Sequence, residues 1–131
     1  MNPTLEDGDV IDIQMDYESL QRQDIVIIRR DNENYVKRII ALPGDTITIA
    51  DGVIYINQVR VSDEGGIDPG IPDVRKDYPL QLHDGQYFVM GDNRINSWDS
   101  RSLSFGVVRK DEIIATARPK GEVKYEAKHY P

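Results

Sequence analysis

The sequence predicts an all-β protein built from antiparallel sheets. Short runs of β-branched and aromatic residues alternate with polar residues, which is the period of a half-buried strand. Gly, Asp, Asn or Pro bounds each run, and helical periodicity is weak along the whole chain. Antiparallel strands joined by tight turns satisfy both observations.

The predicted strands follow one another at short spacing. Five runs have the pattern, at residues 10–13, 25–28, 46–49, 53–56 and 87–90. Asp51-Gly52 joins two of them and tolerates the positive φ that a tight hairpin needs, and Asn57-Gln58 is expected to make the next turn. We therefore expect a three-stranded meander over residues 46–61. Residues 112–117 are expected to form the last strand.

The length and composition favour a single domain. A chain of 131 residues can bury a substantial core, and its 39% hydrophobic and 30% charged residues are ordinary for a globular protein. Residues 62–84 contain several Gly and Pro residues and few periodic apolar ones, so we expect a short loop-rich insertion there. Residues 118–131 are expected to form a polar tail. The predicted domain is thus residues 1–131.

Several function classes are disfavoured by the bulk numbers. A net charge of −7 with scattered basic residues argues against nucleic-acid binding. The absence of cysteine rules out disulfides, thiolate zinc sites and a cysteine nucleophile, and the two histidines are too far apart in sequence to suggest a metal pair. We expect no metal and no cofactor. No run of about 18 apolar residues is present that would predict a membrane span.

Lys37 is a candidate catalytic base. Alternation places it between Tyr35 and Ile39 on one face of a strand, with apolar residues on both sides. A lysine has an unperturbed pKa of about 10.4 and is a useful base near neutral pH only if burial or a nearby positive charge lowers that pKa. The commoner alternative is an exposed lysine that protects a sheet edge.

The segment at residues 91–101 favours the catalytic interpretation. It is richer in charged and hydroxyl side chains than a turn requires: Asp92, Asn93, Arg94, Asn96, Ser97, Asp99, Ser100 and Arg101. Such a loop offers ion pairs that could fix its shape and a hydroxyl that could hold an amine.

Three segments, at residues 1–5, 35–45 and 91–101, together resemble motifs of the type I signal peptidases and occur in the same order. These are membrane-anchored bacterial serine proteases that cut leader peptides from exported proteins with a Ser-Lys dyad. The resemblance continues through Phe105-Gly106 to about Ile114 and implies a partly open, barrel-like core.

The resemblance implies a role for each motif residue. Lys37 would be the general base, Ser97 would orient its amine, and Asp99 and Arg101 would form a supporting ion pair. The remaining motif residues are expected to shape the loop: Asp92, Asn93 and Arg94.

The resemblance also implies how substrate binds. A signal peptide would lie as an extended strand beside the lysine strand. A shallow pocket for the small residue before the cut would be lined by Met1, Leu5, Tyr35 and Val36. The apolar active face would meet the membrane surface on the extracytoplasmic side, next to an anchor upstream of this soluble region.

In the family the nucleophilic serine comes immediately before the segment that matches residues 1–5. It would therefore precede Met1, and we expect the 131-residue chain by itself to be inactive. Two alternatives remain open from sequence: a catalytically dead relative that acts as an assembly or binding factor, and a plain β-rich structural module. A self-cleaving repressor-type Ser-Lys protease is disfavoured, because no DNA-binding region or cleavable linker is visible.

Overall fold

A computed structural model describes residues 11–14, 20–62 and 73–119, with the backbone alone for 11–14 and 117–119. The strands are β1 (Ile11–Gln14), β2 (Ile25–Arg30), β3 (Glu33–Ala41), β4 (Thr46–Ala50), β5 (Val53–Ile56), β6 (Val59–Ser62), β7 (Leu80–Gln81), β8 (Gln86–Met90), β9 (Val108–Arg109) and β10 (Ile113–Pro119). A 3-10 turn, Lys110–Glu112, precedes β10. The predicted all-β class with antiparallel sheets is confirmed.

The strands form two antiparallel sheets. The larger has the order β1-β10-β2-β3-β8-β9 and the smaller the order β6-β5-β4-β7. Neither order closes on itself among the described strands, so the core is open, as predicted. β3 lies inside the larger sheet and continues through the turn at Pro43-Gly44 into β4 of the smaller one.

β3 carries different residues into different parts of the core. Tyr35 and Ile39 pack with one apolar cluster, Ile40 with a second, and Val36 with a third. This is the two-residue alternation that the sequence indicates. Lys37 therefore points to the same side as Tyr35 and Ile39.

The hairpin turns follow from local residue chemistry. Asp31 and Asn32 connect β2 to β3 with φ of 53° and 65°. The two later turns, at Asp51-Gly52 and Asn57-Gln58, also have positive φ at both positions. Turns of this kind match the twist of the paired strands. The predicted meander is confirmed and ends at Ser62.

One predicted boundary was wrong, and one predicted loop-rich segment contains strand pairing. Within the stretch at 62–84, Ser62 ends β6, Val74 bridges Ser102, and β7 pairs with β4. The tail does not begin at residue 118, because residues 118 and 119 pair with Asp12 and Ile11 of β1. In both places a distant strand supplies hydrogen-bond partners that no local pattern reveals.

The buried cluster of β2, β3 and β8 should dominate stability. Ile39 is fully buried and Ile95 is 69% exposed. We expect Ile39→Val to lower the free energy of unfolding by about 0.5–1.5 kcal/mol, through a lost methylene and a small cavity. Ile95→Val removes the same group from the surface and should change it by less than about 0.5 kcal/mol. Urea unfolding of both variants measures the difference, and equal losses would contradict the assigned core.

Candidate active site

The amine of Lys37 is half-buried against the larger sheet. Lys37 pairs across the ladder with Val26, which is fully buried. Its Nζ lies 3.0 Å from Ser97 Oγ and 5.7 Å from the centroid of the Phe105 ring. The contacts of the amine are thus one neutral hydroxyl and the face of one aromatic ring.

Burial lowers the pKa of Lys37 below its ordinary value. The nearby Asp99 carboxylate opposes this shift by stabilising the ammonium, and the Arg101 guanidinium adds to it by repulsion. Desolvation is the largest influence because an ammonium loses its hydration shell in an apolar environment. The Lys37 amine therefore loses its proton more readily than the amine of a solvent-exposed lysine does.

Ser97 is fixed from two sides. Its Oγ accepts a hydrogen bond from the backbone N–H of Gly91 at 3.1 Å, as well as the bond from Lys37. Gly91 is at the end of β8, and a side chain there would collide with Ser97 and reach within 3.5 Å of Lys37 Nζ. The glycine leaves the space that the serine occupies.

Asp99 and Arg101 form a buried ion pair. Arg101 Nε and Nη2 each donate to the carboxylate at 2.9 Å, and the side chain of Asp99 is 1% exposed. Asp99 also accepts from the backbone N–H groups of Gly91 and Arg101. Four donors on one carboxylate hold both ends of the loop together.

A second ion pair ties the loop to β3 and was missed by the sequence reasoning. Arg38 Nε and Nη2 donate to Asp92 at 3.0 and 2.8 Å, and Arg38 Nη1 donates to the carbonyl oxygen of Gln23. Asp92 was expected only to shape the loop, with no partner named. The sequence signal that could have indicated this ion pair was the position of Arg38 directly after the candidate base Lys37.

A third support comes from residues 73–77, which lie within the predicted insertion at residues 62–84. Arg75 is buried and donates from Nε to the carbonyl oxygen of Ser100 at 3.0 Å. Asp73 accepts from the hydroxyls of Ser102 and Ser104. No sequence pattern linked this stretch to the loop.

The other loop residues lie within the same polar framework. Arg94 Nη1 contacts Met90 Sδ at 3.2 Å, and the carbonyl oxygen of Asn93 accepts from the N–H of Asn96. Ser100 Oγ accepts from the backbone N–H of Val89 and is fully buried. Within the described residues, no group of three or more His, Cys, Asp or Glu side chains is placed to hold a metal.

The structure describes two of the four residues predicted to line the substrate pocket and does not bring those two together. Tyr35 and Val36 lie on opposite faces of β3, as neighbouring strand residues must. Met1 and Leu5 lie outside the described residues. The pocket for the small residue stays a prediction.

An aromatic cluster of Tyr35, Trp98 and Phe105 lies beside the amine, with the Phe105 ring facing Lys37 Nζ. The Phe105 ring contacts Tyr35 and Trp98 edge-on, with centroid distances of 5.6 and 5.1 Å. Tyr35 and Trp98 also contact each other at 5.9 Å. Sequence reasoning gave Phe105 no role in the site.

Comparisons with known proteins match this arrangement to one family. A family model described as signal peptidase, peptidase S26, matches residues 1–120. The chain belongs to the signal peptidase family. The resemblance noted from the sequence motifs is confirmed.

Individual signal peptidases support the assignment. Signal peptidase I of Bacillus licheniformis is 37% identical over 135 residues, covering 90% of this chain and 69% of that protein. Signal peptidase I S of Bacillus subtilis (strain 168) is 36% identical over 129 residues, covering 90% of this chain and 70% of that protein. A crystal structure of a signal peptidase I from Enterococcus faecalis V583 matches with a TM-score of 0.60 at 29% identity, covering 77% of this chain and 98% of that one.

The lowered pKa of Lys37 predicts a pH-dependent cost of folding. Between the folded-state pKa and about 10.4 the unfolded chain binds more protons, so stability rises with pH through that window. Lys37→Met removes the buried amine and should be more stable than the parent below the window. Its advantage should shrink as pH rises to about 10.4. Urea unfolding of both proteins at several pH values measures this, and a pH-independent difference would contradict a buried amine.

The contact of Gly91 with Ser97 predicts a coupled pair. Gly91→Ala should lower the free energy of unfolding by about 1–3 kcal/mol, because its new methyl group overlaps Ser97. In a Ser97→Gly background the overlapping side chain is gone, and the same change should cost much less. A double-mutant cycle by urea unfolding measures the coupling. Additive losses would show that the serine is not held there.

Proposed function

We propose that this chain is the catalytic region of a Ser-Lys signal peptidase that cuts signal peptides from exported proteins. The observation that carries the proposal is the half-buried Lys37 amine, 3.0 Å from the Ser97 hydroxyl, in a member of the signal peptidase family. A lysine of lowered pKa is suited to take a proton from a serine hydroxyl.

In the proposed reaction Lys37 acts first as base and then as acid. The neutral amine takes the proton of the nucleophilic serine, and the alkoxide attacks the carbonyl carbon of the scissile peptide bond. The resulting ammonium then protonates the leaving amine as the bond breaks, leaving an acyl-enzyme that water hydrolyses. The nucleophile is proposed to be a serine immediately before Met1, where the family resemblance puts it.

Ser97 suits a positioning role better than a nucleophilic one. Its oxygen already accepts from Gly91 N–H and contacts the lysine amine, which fixes the amine's direction. Ser100 is fully buried and hydrogen-bonded to β8, so a substrate carbonyl cannot reach it. The Asp99–Arg101 and Arg38–Asp92 ion pairs would keep the loop in place without touching substrate.

The sheet offers a place for an extended substrate. β8 pairs with β3 only from Arg38 onward, so among the described residues the ladder partners of Glu33 to Lys37 come from β2. A substrate strand added on the other side would run next to the lysine. Backbone pairing would supply affinity there, and pockets for alternate side chains would supply the preference for small residues.

We further propose that this face works at the membrane surface, on the extracytoplasmic side. Three apolar side chains in the stretch from Gly91 to Phe105, which contains Ser97, are exposed by 47–69%: Ile95, Trp98 and Leu103. Exposed apolar groups on the segment that carries a site suit a surface that meets lipid or protein. Within the described residues no helix is long and apolar enough to span a bilayer.

The proposal is tested with a serine placed immediately before Met1. That protein should cleave a peptide with Ala-x-Ala before the scissile bond, with a rate that rises with pH through the lowered pKa of Lys37. The unmodified 131-residue chain should give no cleavage. Lys37→Met should lower the rate by at least about 10²–10⁴-fold, the usual contribution of general acid–base catalysis. Mass spectrometry of the products measures cleavage and its position.

Lys110→Met is the matched control, because Lys110 is exposed in the 3-10 turn. It should leave the rate unchanged. If the protein with the added serine before Met1 folds but does not cleave the peptide, the enzymatic proposal is overturned in favour of a binding factor. Unchanged activity in Lys37→Met would remove Lys37 from the role of base.

A further inference from the structure

Arg30 makes more contacts than the end of a hairpin strand requires. Its Nε and Nη2 each donate to the Glu112 carboxylate at 2.9 Å. Nη1 donates to the carbonyl oxygen of Phe105 at 2.6 Å, and Nη2 to that of Val107 at 3.3 Å. Both charged side chains are largely buried, 18% and 15% exposed.

The same guanidinium lies against the Phe105 ring. Arg30 Cζ is 4.6 Å from the ring centroid, within the range of a cation–π contact. Arg30 therefore holds Phe105 twice, by its backbone carbonyl and by its ring. A planar fork of five donors can make these contacts at once, whereas a lysine ammonium cannot.

Phe105 connects the Arg30–Glu112 pair, here called the clamp, to Lys37 and Ser97. The ring is 3% exposed and lies 5.7 Å from Lys37 Nζ. It also contacts Tyr35, two residues before the lysine, and Trp98, directly after Ser97. A shift of this ring would open the space beside the amine.

We propose that Arg30, held by Glu112, is a positioning residue that fixes Phe105 as the apolar wall beside the Lys37 amine. The effect of Arg30 on turnover rests on the proposed function, whereas its effect on the surroundings of the Lys37 amine does not. Loosening the clamp would admit water beside the amine and weaken its desolvation. The Asp99 and Arg101 charges that also face the amine would stay in place.

Conservative variants separate this role from a simple charge effect. Arg30→Lys keeps the charge and loses the fork, and Glu112→Gln removes a negative charge and one strong acceptor. If Arg30 and Glu112 fix the Phe105 ring beside the amine, both variants raise the pKa of Lys37 toward its ordinary value. If only charge mattered, Arg30→Lys would change nothing and Glu112→Gln would lower that pKa, because an anion that stabilises the ammonium is gone.

The experiment follows the ¹³Cε resonance of Lys37 by NMR titration of the 131-residue chain, assigned with Lys37→Arg. Both variants should raise the pKa by about half a unit to one unit, within the usual spread of protein pKa values. Trp98 is the single tryptophan, and its fluorescence should change in both variants because Phe105 contacts it. Phe105→Leu should also raise the pKa of Lys37 and should change the Trp98 fluorescence in the same direction as the Arg30→Lys and Glu112→Gln variants do.

The exposed Arg109–Asp111 pair supplies matched controls. Its side chains are 69% and 75% exposed, and it lies beside Glu112 in sequence. Arg109→Lys and Asp111→Asn should leave the Trp98 emission unchanged and should not raise the pKa of Lys37. An unchanged or lowered lysine pKa in Arg30→Lys and Glu112→Gln would overturn the proposal.

In the protein with serine before Met1, the inflection of the kcat profile should move to higher pH in both clamp variants, with KM unchanged. A KM change with an unmoved inflection would contradict a role in positioning the wall. Because the NMR and fluorescence signals need no turnover, a lack of cleavage would overturn the proposed function while these signals still decide the role of Arg30.

Discussion

The site depends on burying one amine without giving it a fixed counter-ion. Removing an ammonium from water costs free energy that only a close anion can restore, and Lys37 is hydrogen-bonded instead to the neutral hydroxyl of Ser97. Neighbouring cations have their own anions: Arg38 pairs with Asp92, and Arg101 with Asp99. Because the Asp99 carboxylate is already paired with Arg101, it only partly offsets the burial that lowers the pKa of Lys37.

The loop that faces the amine is held from three directions. From β8, the N–H of Val89 donates to Ser100, and the N–H of Gly91, just after the strand, donates to Asp99. β3 contributes Arg38, and the stretch at 73–77 contributes Arg75. Supports of this kind hold the Ser97 hydroxyl to within about half an ångström, and the hydroxyl in turn fixes the direction of the Lys37 amine.

Most of the fold could be predicted from local chemistry. Period-two alternation and positive-φ turn residues identified most of the longer strands and the two turns of the meander, because both are properties of a few neighbouring residues. The two-residue strands β7 and β9 are too short to show a period. Their existence depends on partners elsewhere in the sheets.

The site was only partly predictable. Lys37, Ser97, Asp99 and Arg101 fall in motifs that could be recognised, and the structure brings all four together. The clamp between Arg30 and Glu112 joins residues 82 positions apart, and neither lies in a motif. Arg75 was hidden in a stretch that resembled a plain loop. Tertiary packing decides such contacts, so no window of sequence contains them.

The loop and the lysine also come from separable stretches of the chain. Contacts that shape the loop join residues 25 and 29 positions apart, at Arg75 with Ser100 and Asp73 with Ser102. The amine reaches its serine across 60 positions. A break in the chain between Ser62 and Asp73 would leave the Lys37 amine on one peptide. The loop with Ser97, and the hydrogen bonds of Arg75 and Asp73 that shape it, would all be on the other peptide. The two halves would then have to find each other through strand pairing and a few buried ion pairs, as in a split enzyme.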